Sequence, residues 1–277
     1  MPELPEVETI VRSLAPRIRG RTIERAELLF KPLLRRAPRG GLKILAGTRV
    51  LGVRRRGKMI IIECEGGLNL VFHLKMTGQL LLADDGAARD KHTRLVVKFS
   101  DGGPELRFRD IRKFGFLLCI KGTPEGACTE LSCLGPEPLD ITLEGFRRAL
   151  QRRKARIKGL LLDQTVIAGI GNIYADEILF DSGIHPVTRA SAFSKKDVGR
   201  LWESTRKILA LAIEAKGSTL RDYVDAEGRS GGFQFFHKVY DREGEPCVAC
   251  GTPVNRIRVA GRSSSFCPKC QRKRRAV

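Results

Sequence analysis

Four cysteines near the end of the chain, Cys247-Val-Ala-Cys250 and Cys267-Pro-Lys-Cys270, form two C-x2-C pairs separated by sixteen residues. A spacer of that length can run out and back as a hairpin, so that the two pairs present four sulfurs to one ion. Four thiolates complete a tetrahedron and leave no open coordination position, so the metal would hold the fold and not activate water. One structural Zn2+ is the expected ion, and a rubredoxin-like iron is the alternative that the same soft ligands admit. The other cysteines, Cys64, Cys119, Cys128 and Cys133, are irregularly spaced and read as small core or surface residues.

The remainder of the chain needs a core of its own. With 277 residues, 42% of them hydrophobic and 30% charged, the chain has the make-up of about two folded domains, and collagen, coiled coil and wholesale disorder are excluded. No stretch approaches the run of about eighteen apolar residues that a membrane helix needs. The first twenty residues include Glu3, Glu6 and Glu8 and no apolar run, so no secretory signal is read and a cytoplasmic location is expected.

Lys and Arg total 51 against 31 Asp and Glu, a net charge of +20. The surplus is six over residues 1–50, four over 51–100, four over 151–200 and eight over 247–277, the last with no acidic residue at all. Three separated basic regions fit a chain that neutralises phosphates along a nucleic-acid backbone, where each contact adds salt-sensitive affinity. No basic amphipathic helix with an aromatic apolar face is visible, so a membrane surface is not the expected partner.

Leu4, Val7, Ile10, Val11 and Leu14 share one helical face, with Pro5 tolerated in the first turn, which predicts a helix over 4–14. Short β-rich runs follow at 59–63, 68–73, 80–83, 95–99, 105–109 and 114–120, punctuated by turns such as Asp101-Gly102-Gly103-Pro104. A β-sandwich or barrel is their natural packing. The segment 134–139, Leu-Gly-Pro-Glu-Pro-Leu, breaks both periods and marks the expected domain boundary. Helices are predicted to open at Thr142, to run around 156–163, to start near Asn172 and to follow Ser194, where Asp197 completes a capping box. Gly217 ends the last of them, and 217–236 reads as a mobile loop rather than core.

Met1-Pro2-Glu3 places a small residue second, so loss of Met1 would leave Pro2 with a free secondary amine. An α-amino group titrates near about 7.7–8.0, so an appreciable fraction is neutral at physiological pH and can attack a masked aldehyde carbon. The motifs that give this terminus a context run through the whole chain. They are Pro2-Glu3-Leu4-Pro5-Glu6-Val7-Glu8-Thr9, Arg56-Gly57-Lys58, His73-Leu74-Lys75-Met76-Thr77-Gly78, Lys91-His92-Thr93, Asp110-Ile111-Arg112-Lys113-Phe114-Gly115, residues 134–139 and 163–186, and the cysteine array. Together they resemble the bacterial formamidopyrimidine-DNA glycosylase (MutM) family, essentially end to end.

The resemblance implies an α+β multidomain fold. An N-terminal β-sandwich with flanking helices would occupy 1–135, a helix-two-turn-helix DNA-binding domain with a lesion-capping loop 136–237, and a zinc finger with a basic tail 238–277. It also implies a monomeric base-excision-repair enzyme, at once glycosylase and AP lyase, that flips an oxidised purine such as 8-oxoguanine or a formamidopyrimidine out of double-stranded DNA. Pro2 would attack C1′ of the sugar and Glu3 would move protons there, with Glu6 in support. Lys58 would serve β-elimination and phosphate contact, and Arg262 would clamp phosphates and serve δ-elimination. Met76, Arg112 and Phe114 would fill the hole left by the flipped base. Asn172, at a helix N-terminus behind Gly169-Ile170-Gly171, would bind phosphate, with His73, His92, Lys154 and Lys158 as further DNA contacts. The cytoplasm, in association with the nucleoid, is the expected location.

Two features depart from the family pattern. Arg94 stands where a second histidine is common, and Arg272-Lys273-Arg274-Arg275 extends the chain beyond the last cysteine. Two alternatives remain open: an endonuclease VIII-like glycosylase for oxidised pyrimidines, against which Leu4 argues, and a non-catalytic zinc-ribbon DNA-binding protein, which leaves Pro2-Glu3 unexplained.

Overall fold

The computed structural model describes residues 1–151 and 155–273. The chain forms two compact units, Met1–Ser132 with Ala215–Gly232, and Cys133–Glu214 with Phe233 onward.

In the first unit, α1 (Leu4–Ile18) buries Leu4, Val7, Ile10, Val11, Leu14 and Ile18 along one face. The helix outruns the expected 4–14 by a turn because Ile18 continues that stripe past Pro16. Nine strands follow: β1 (Ile23–Leu28), β2 (Leu34–Arg36), β3 (Val50–Arg56), β4 (Met59–Cys64), β5 (Leu68–His73), β6 (Gly78–Ala83), β7 (Thr93–Phe99), β8 (Glu105–Asp110) and β9 (Phe116–Lys121). They build a four-stranded sheet, β1-β7-β8-β6, and a five-stranded sheet, β2-β9-β5-β4-β3. Side chains of both sheets and of α1 share one core, and Phe72 and Phe108, one from each sheet, stack with ring centroids 5.8 Å apart. This is the expected β-sandwich. Two short helices, α2 (Pro124–Ala127) and α3 (Thr129–Ser132), close the segment.

The stretch that reads as a loop outside the core does not stay outside it. Tyr223 and Ala226 are buried in the sandwich core. Leu82 N–H donates to Ala226 O at 2.8 Å, and Ala226 N–H donates to Ser13 Oγ at 3.2 Å. Two apolar side chains among many polar ones suffice, because the backbone between them is paired rather than hydrated.

The second unit is helical: α4 (Leu143–Gln151), α5 (Ile157–Leu162), α6 (Asn172–Asp181) and α7 (Lys195–Glu214). Thr142 Oγ1 accepts Gly145 N–H at 3.1 Å ahead of α4. Ser194 and Asp197 form the predicted capping box ahead of α7, with Ser194 N–H on Asp197 Oδ2 at 2.9 Å. The hairpin of β10 (Asn255–Val259) and β11 (Arg262–Phe266) turns through Ala260 and Gly261, both with positive φ. Among the described residues no helix is long and apolar enough to cross a membrane.

Candidate functional site

In the first unit, Pro2 is buried at the head of α1 behind an exposed Met1. Glu3 is the N-cap of α1 and is itself buried. Its backbone N–H donates to Glu6 Oε2 at 2.7 Å, and the Glu3 side chain accepts the Glu6 N–H in return. Both carboxylates lie at the N-terminal end of α1. The other oxygen of Glu6 accepts Ser218 N–H at 2.7 Å, and Tyr223 donates its hydroxyl to Lys216 O at 3.0 Å. The segment after α7 is thereby moored to α1, the helix that follows Pro2. Gly217, at φ +76, lies so close that a Cβ there would sit 2.7 Å from Glu6 Oε1.

Lys58 occupies a two-residue turn with Gly57, since Arg56 of β3 pairs directly with Met59 of β4. It is buried, at 7% exposure, which is unusual for lysine. Nearby in sequence space of the same sheet, His73 ends β5 with its ring 5.3 Å from that of Phe116. Burial, reinforced by the charges of Lys75, Lys58 and Arg35, lowers its pKa from 6.5 to about 3. Lys75 N–H donates to His73 Nδ1 at 3.0 Å, so the neutral ring carries its proton on Nε2. His73 therefore meets a partner as a neutral donor, not as a cation.

Met76 and Phe114 are about half exposed, and Arg112 lies between them. The Arg112 guanidinium is 3.0 Å from Met76 Sδ and 4.8 Å from the Phe114 ring centre. Three side chains from the turns after β5 and β8 thus form one exposed cluster. Phe114 was expected at the start of a strand, but β9 begins only at Phe116. Asp110 holds the turn: its buried carboxylate accepts Thr77 Oγ1–H at 2.6 Å, Arg112 N–H at 3.2 Å and Gly115 N–H at 2.8 Å. His92 is half-buried in the turn before β7, where its N–H donates to Asp90 Oδ1 at 2.9 Å. Arg94, the residue that departs from the family pattern, faces inward and donates to Asp110 O at 3.0 Å and to Lys91 O at 3.1 Å.

In the second unit, Asn172 opens α6 after Gly171 as N-cap. Its Oδ1 is buried and lacks a hydrogen-bond partner among the described residues, an acceptor left for an incoming donor. Arg262 is exposed at the first position of β11. Lys158, expected at a phosphate, is instead fully buried: Nζ donates to Asp176 Oδ1 at 2.7 Å and to Ser263 O at 2.5 Å. Asp176 also accepts Ser264 Oγ–H at 2.9 Å and Ser265 N–H at 3.0 Å. Burial pushes the Asp176 carboxyl upward, and the Lys158 ammonium opposes it. The lysine therefore ties α5 and α6 to the strand that carries Arg262, and no ammonium is left over for DNA. Lys154 lies outside the described residues.

Glu177, next on α6, receives three backbone amides, those of Lys238, Val239 and Tyr240, at 2.8–3.1 Å. Sequence reading missed Asp110, Asp176 and Glu177. Two adjacent acids set between apolar residues in the middle of α6 were the available signal for the last pair.

Cys247, Cys250, Cys267 and Cys270 bring their sulfurs within 4.8 Å of one another. The separations of 3.9 Å for Cys247 and Cys270 and 3.5 Å for Cys250 and Cys267 match the edge of a tetrahedron with Zn–S bonds of about 2.3 Å, near about 3.8 Å. They are far too long for disulfides, at about 2.05 Å. Phe180, Val239 and Val254 pack around the buried pair Cys247 and Cys267. The donor set fits one structural Zn2+.

A β-sandwich with carboxylates at its N-terminus, a glycine-preceded helix headed by Asn172 and a four-thiolate ribbon define a zinc-ribbon nucleic-acid-binding protein with a candidate amine nucleophile. Three family models match it: the formamidopyrimidine-DNA glycosylase N-terminal domain over residues 1–117, the H2TH domain of the same glycosylases over 134–224, and the zinc finger found in FPG and IleRS over 244–272. The chain belongs to the formamidopyrimidine-DNA glycosylase family. It is 50% identical over 274 residues to formamidopyrimidine-DNA glycosylase of Solibacter usitatus, covering 99% of this chain and 100% of that one. Its relative in Desulforamulus reducens is 43% identical, over 98% of this chain and 99% of the other. Among solved structures, Lactococcus lactis FPG (MutM) bound to DNA containing an oxidised pyrimidine aligns with a TM-score of 0.90 at 37% identity, over 98% of this chain and 100% of that one. Thermus thermophilus MutM aligns at 0.86 with 42% identity, over 98% of both.

Proposed function

We propose that this chain is a bifunctional DNA glycosylase and AP lyase of base excision repair that acts on oxidised purines in double-stranded DNA, as a bacterial enzyme working at the nucleoid. The observation that carries the reading is the buried Pro2 at the head of α1 with the Glu3 and Glu6 carboxylates beside it. Once Met1 is removed, the Pro2 nitrogen attacks C1′ and displaces the damaged base, and the C1′–O4′ bond then opens, with O4′ taking a proton from Glu3, to give an iminium on the open-chain sugar. Loss of a C2′ proton then expels the 3′-phosphate, and a second elimination expels the 5′-phosphate. Lys58 serves the first elimination and Arg262 the second.

The exposed Met76, Arg112 and Phe114 fill the space vacated by the flipped base, and the apolar and cationic faces of that cluster suit a base stack. Asn172 and the N-terminus of α6 take a phosphate, His73 donates through Nε2, and His92 adds a backbone contact. Residues 1–135 supply the chemistry, 136–237 the helix-two-turn-helix grip and capping loop, and 238–277 the zinc finger and basic tail. Single-turnover assays on duplexes carrying 8-oxoguanine, an oxidised pyrimidine or no lesion test the reading. Base release and strand scission with both terminal phosphates retained are expected on the purine duplex first. Faster turnover of the pyrimidine would contradict the purine preference, and binding without cleavage would contradict the enzyme.

A further inference from the structure

Three arginines precede the Lys58 turn, and in a chain of this charge they read as phosphate-facing. Arg54 is committed to Glu63 at 2.7 Å and to Glu125 at 2.8 Å. Arg55 is turned inward, its side chain only 9% exposed. Its Nε donates to Glu8 Oε2 on α1 at 3.0 Å, and its Nη1 donates to Gly57 O at 3.1 Å. Glu8 is held in turn by Arg12, one helical turn on, at 2.9 Å.

The Gly57 carbonyl belongs to the peptide plane that carries the Lys58 N–H. A planar guanidinium with donors fixed in a fork can hold that plane and the α1 carboxylate at once, which a lysine's single point charge cannot. Gly57 itself has φ +55, a conformation open to a glycine without strain, and the Arg55 contact to its carbonyl adds to the Arg56–Met59 pairing that closes the turn. We propose that Arg55, anchored by Glu8, is a positioning residue that fixes the Lys58 turn against α1, the helix that follows Pro2, and so sets the rate of β-elimination. The proposal rests on the roles given above to Pro2 and Lys58. Arg55 touches neither substrate nor reacting atoms in this scheme. Its effect is confined to the step that Lys58 serves.

The test separates iminium formation from elimination on a duplex containing an abasic site. Borohydride trapping reads the first, and strand scission under single turnover reads the second. Arg55→Met should trap within threefold of the parent while scission slows tenfold or more. Arg55→Lys should restore less than half of that loss, because one ammonium reaches Glu8 or Gly57 O but not both. Glu8→Gln, which keeps the shape and an acceptor, should slow scission about threefold. Combined with Lys58→Ala, Arg55→Met should add nothing further. Equal losses of trapping and scission in Arg55→Met and in Glu8→Gln, or full multiplication of the Arg55 and Lys58 effects, would overturn the proposal. Normal scission in Lys58→Ala would overturn it together with the reading of Lys58, whereas slow scission in Lys58→Ala beside normal scission in Arg55→Met would overturn the positioning role alone.

Discussion

Replacing Lys158 by Met would strand Asp176 inside the second unit. The carboxylate is 2% exposed and the ammonium wholly buried, so neither can turn to water without local opening. Removing one member of a buried ion pair costs about 3–5 kcal/mol. Asp176 would keep Ser264 Oγ–H at 2.9 Å and Ser265 N–H at 3.0 Å, which places the expected loss for Lys158→Met near the lower end, about 3 kcal/mol. Replacing both, Lys158→Met with Asp176→Leu, removes the stranded charge but leaves the Ser264 and Ser265 donors unpaired, at about 1–3 kcal/mol each. The double variant should therefore lose less than the sum of the single ones, by at least about 1 kcal/mol. Urea unfolding followed by fluorescence reads this unit directly. Trp202 is the chain's one tryptophan, on α7 with its indole N–H donating to Ile141 O at 3.0 Å. A Lys158→Met protein within about 0.5 kcal/mol of the parent, the range of ordinary surface substitutions, would refute the buried pair.

Three further outcomes follow from the geometry. His73 titrates near about 3 in the fold against 6.5 in the unfolded chain, so the unfolded chain takes up the proton first as pH falls. The stability it contributes is complete above pH 6.5 and is lost between there and about pH 3, and His73→Gln should flatten the acid limb of a stability-against-pH curve in that window. Gly217→Ala meets Glu6 Oε1 at 2.7 Å and a φ of +76, and should cost the first unit about 1–3 kcal/mol by urea titration under far-ultraviolet circular dichroism. Zinc analysis should find one ion per chain, and Cys267→Ala should abolish metal retention and lesion binding while the first unit stays folded.

What was legible in the sequence is what local patterning controls. The apolar stripe of α1 and the capping box at Ser194 and Asp197 were read from spacing within a few residues, and six strands were read as short β-rich runs set off by turns. Strands β1 to β3 escaped because their residues speak of something else: Ile23 is the only fully buried position of β1, β2 has three residues, and β3 ends in three arginines. The cysteine array named its ligands by spacing alone. Lys158 could not be read correctly, because its partner lies eighteen residues on and the strand it clamps is about a hundred away. A buried lysine and a phosphate-facing one look the same in sequence. The same limit hid the core contacts of Tyr223 and Ala226, which are made to α1 and β6, more than a hundred residues away in the chain.

The central claim is that the chemistry begins at the nitrogen of residue 2. Protein freed of Met1 should be incubated with an 8-oxoguanine duplex under borohydride, and the adduct digested and mapped by mass spectrometry. The account predicts a DNA-derived sugar fragment on Pro2 and no adduct from Pro2→Gly with Glu3→Gln. An adduct on a lysine, or one that persists at full yield in the double variant, would contradict it.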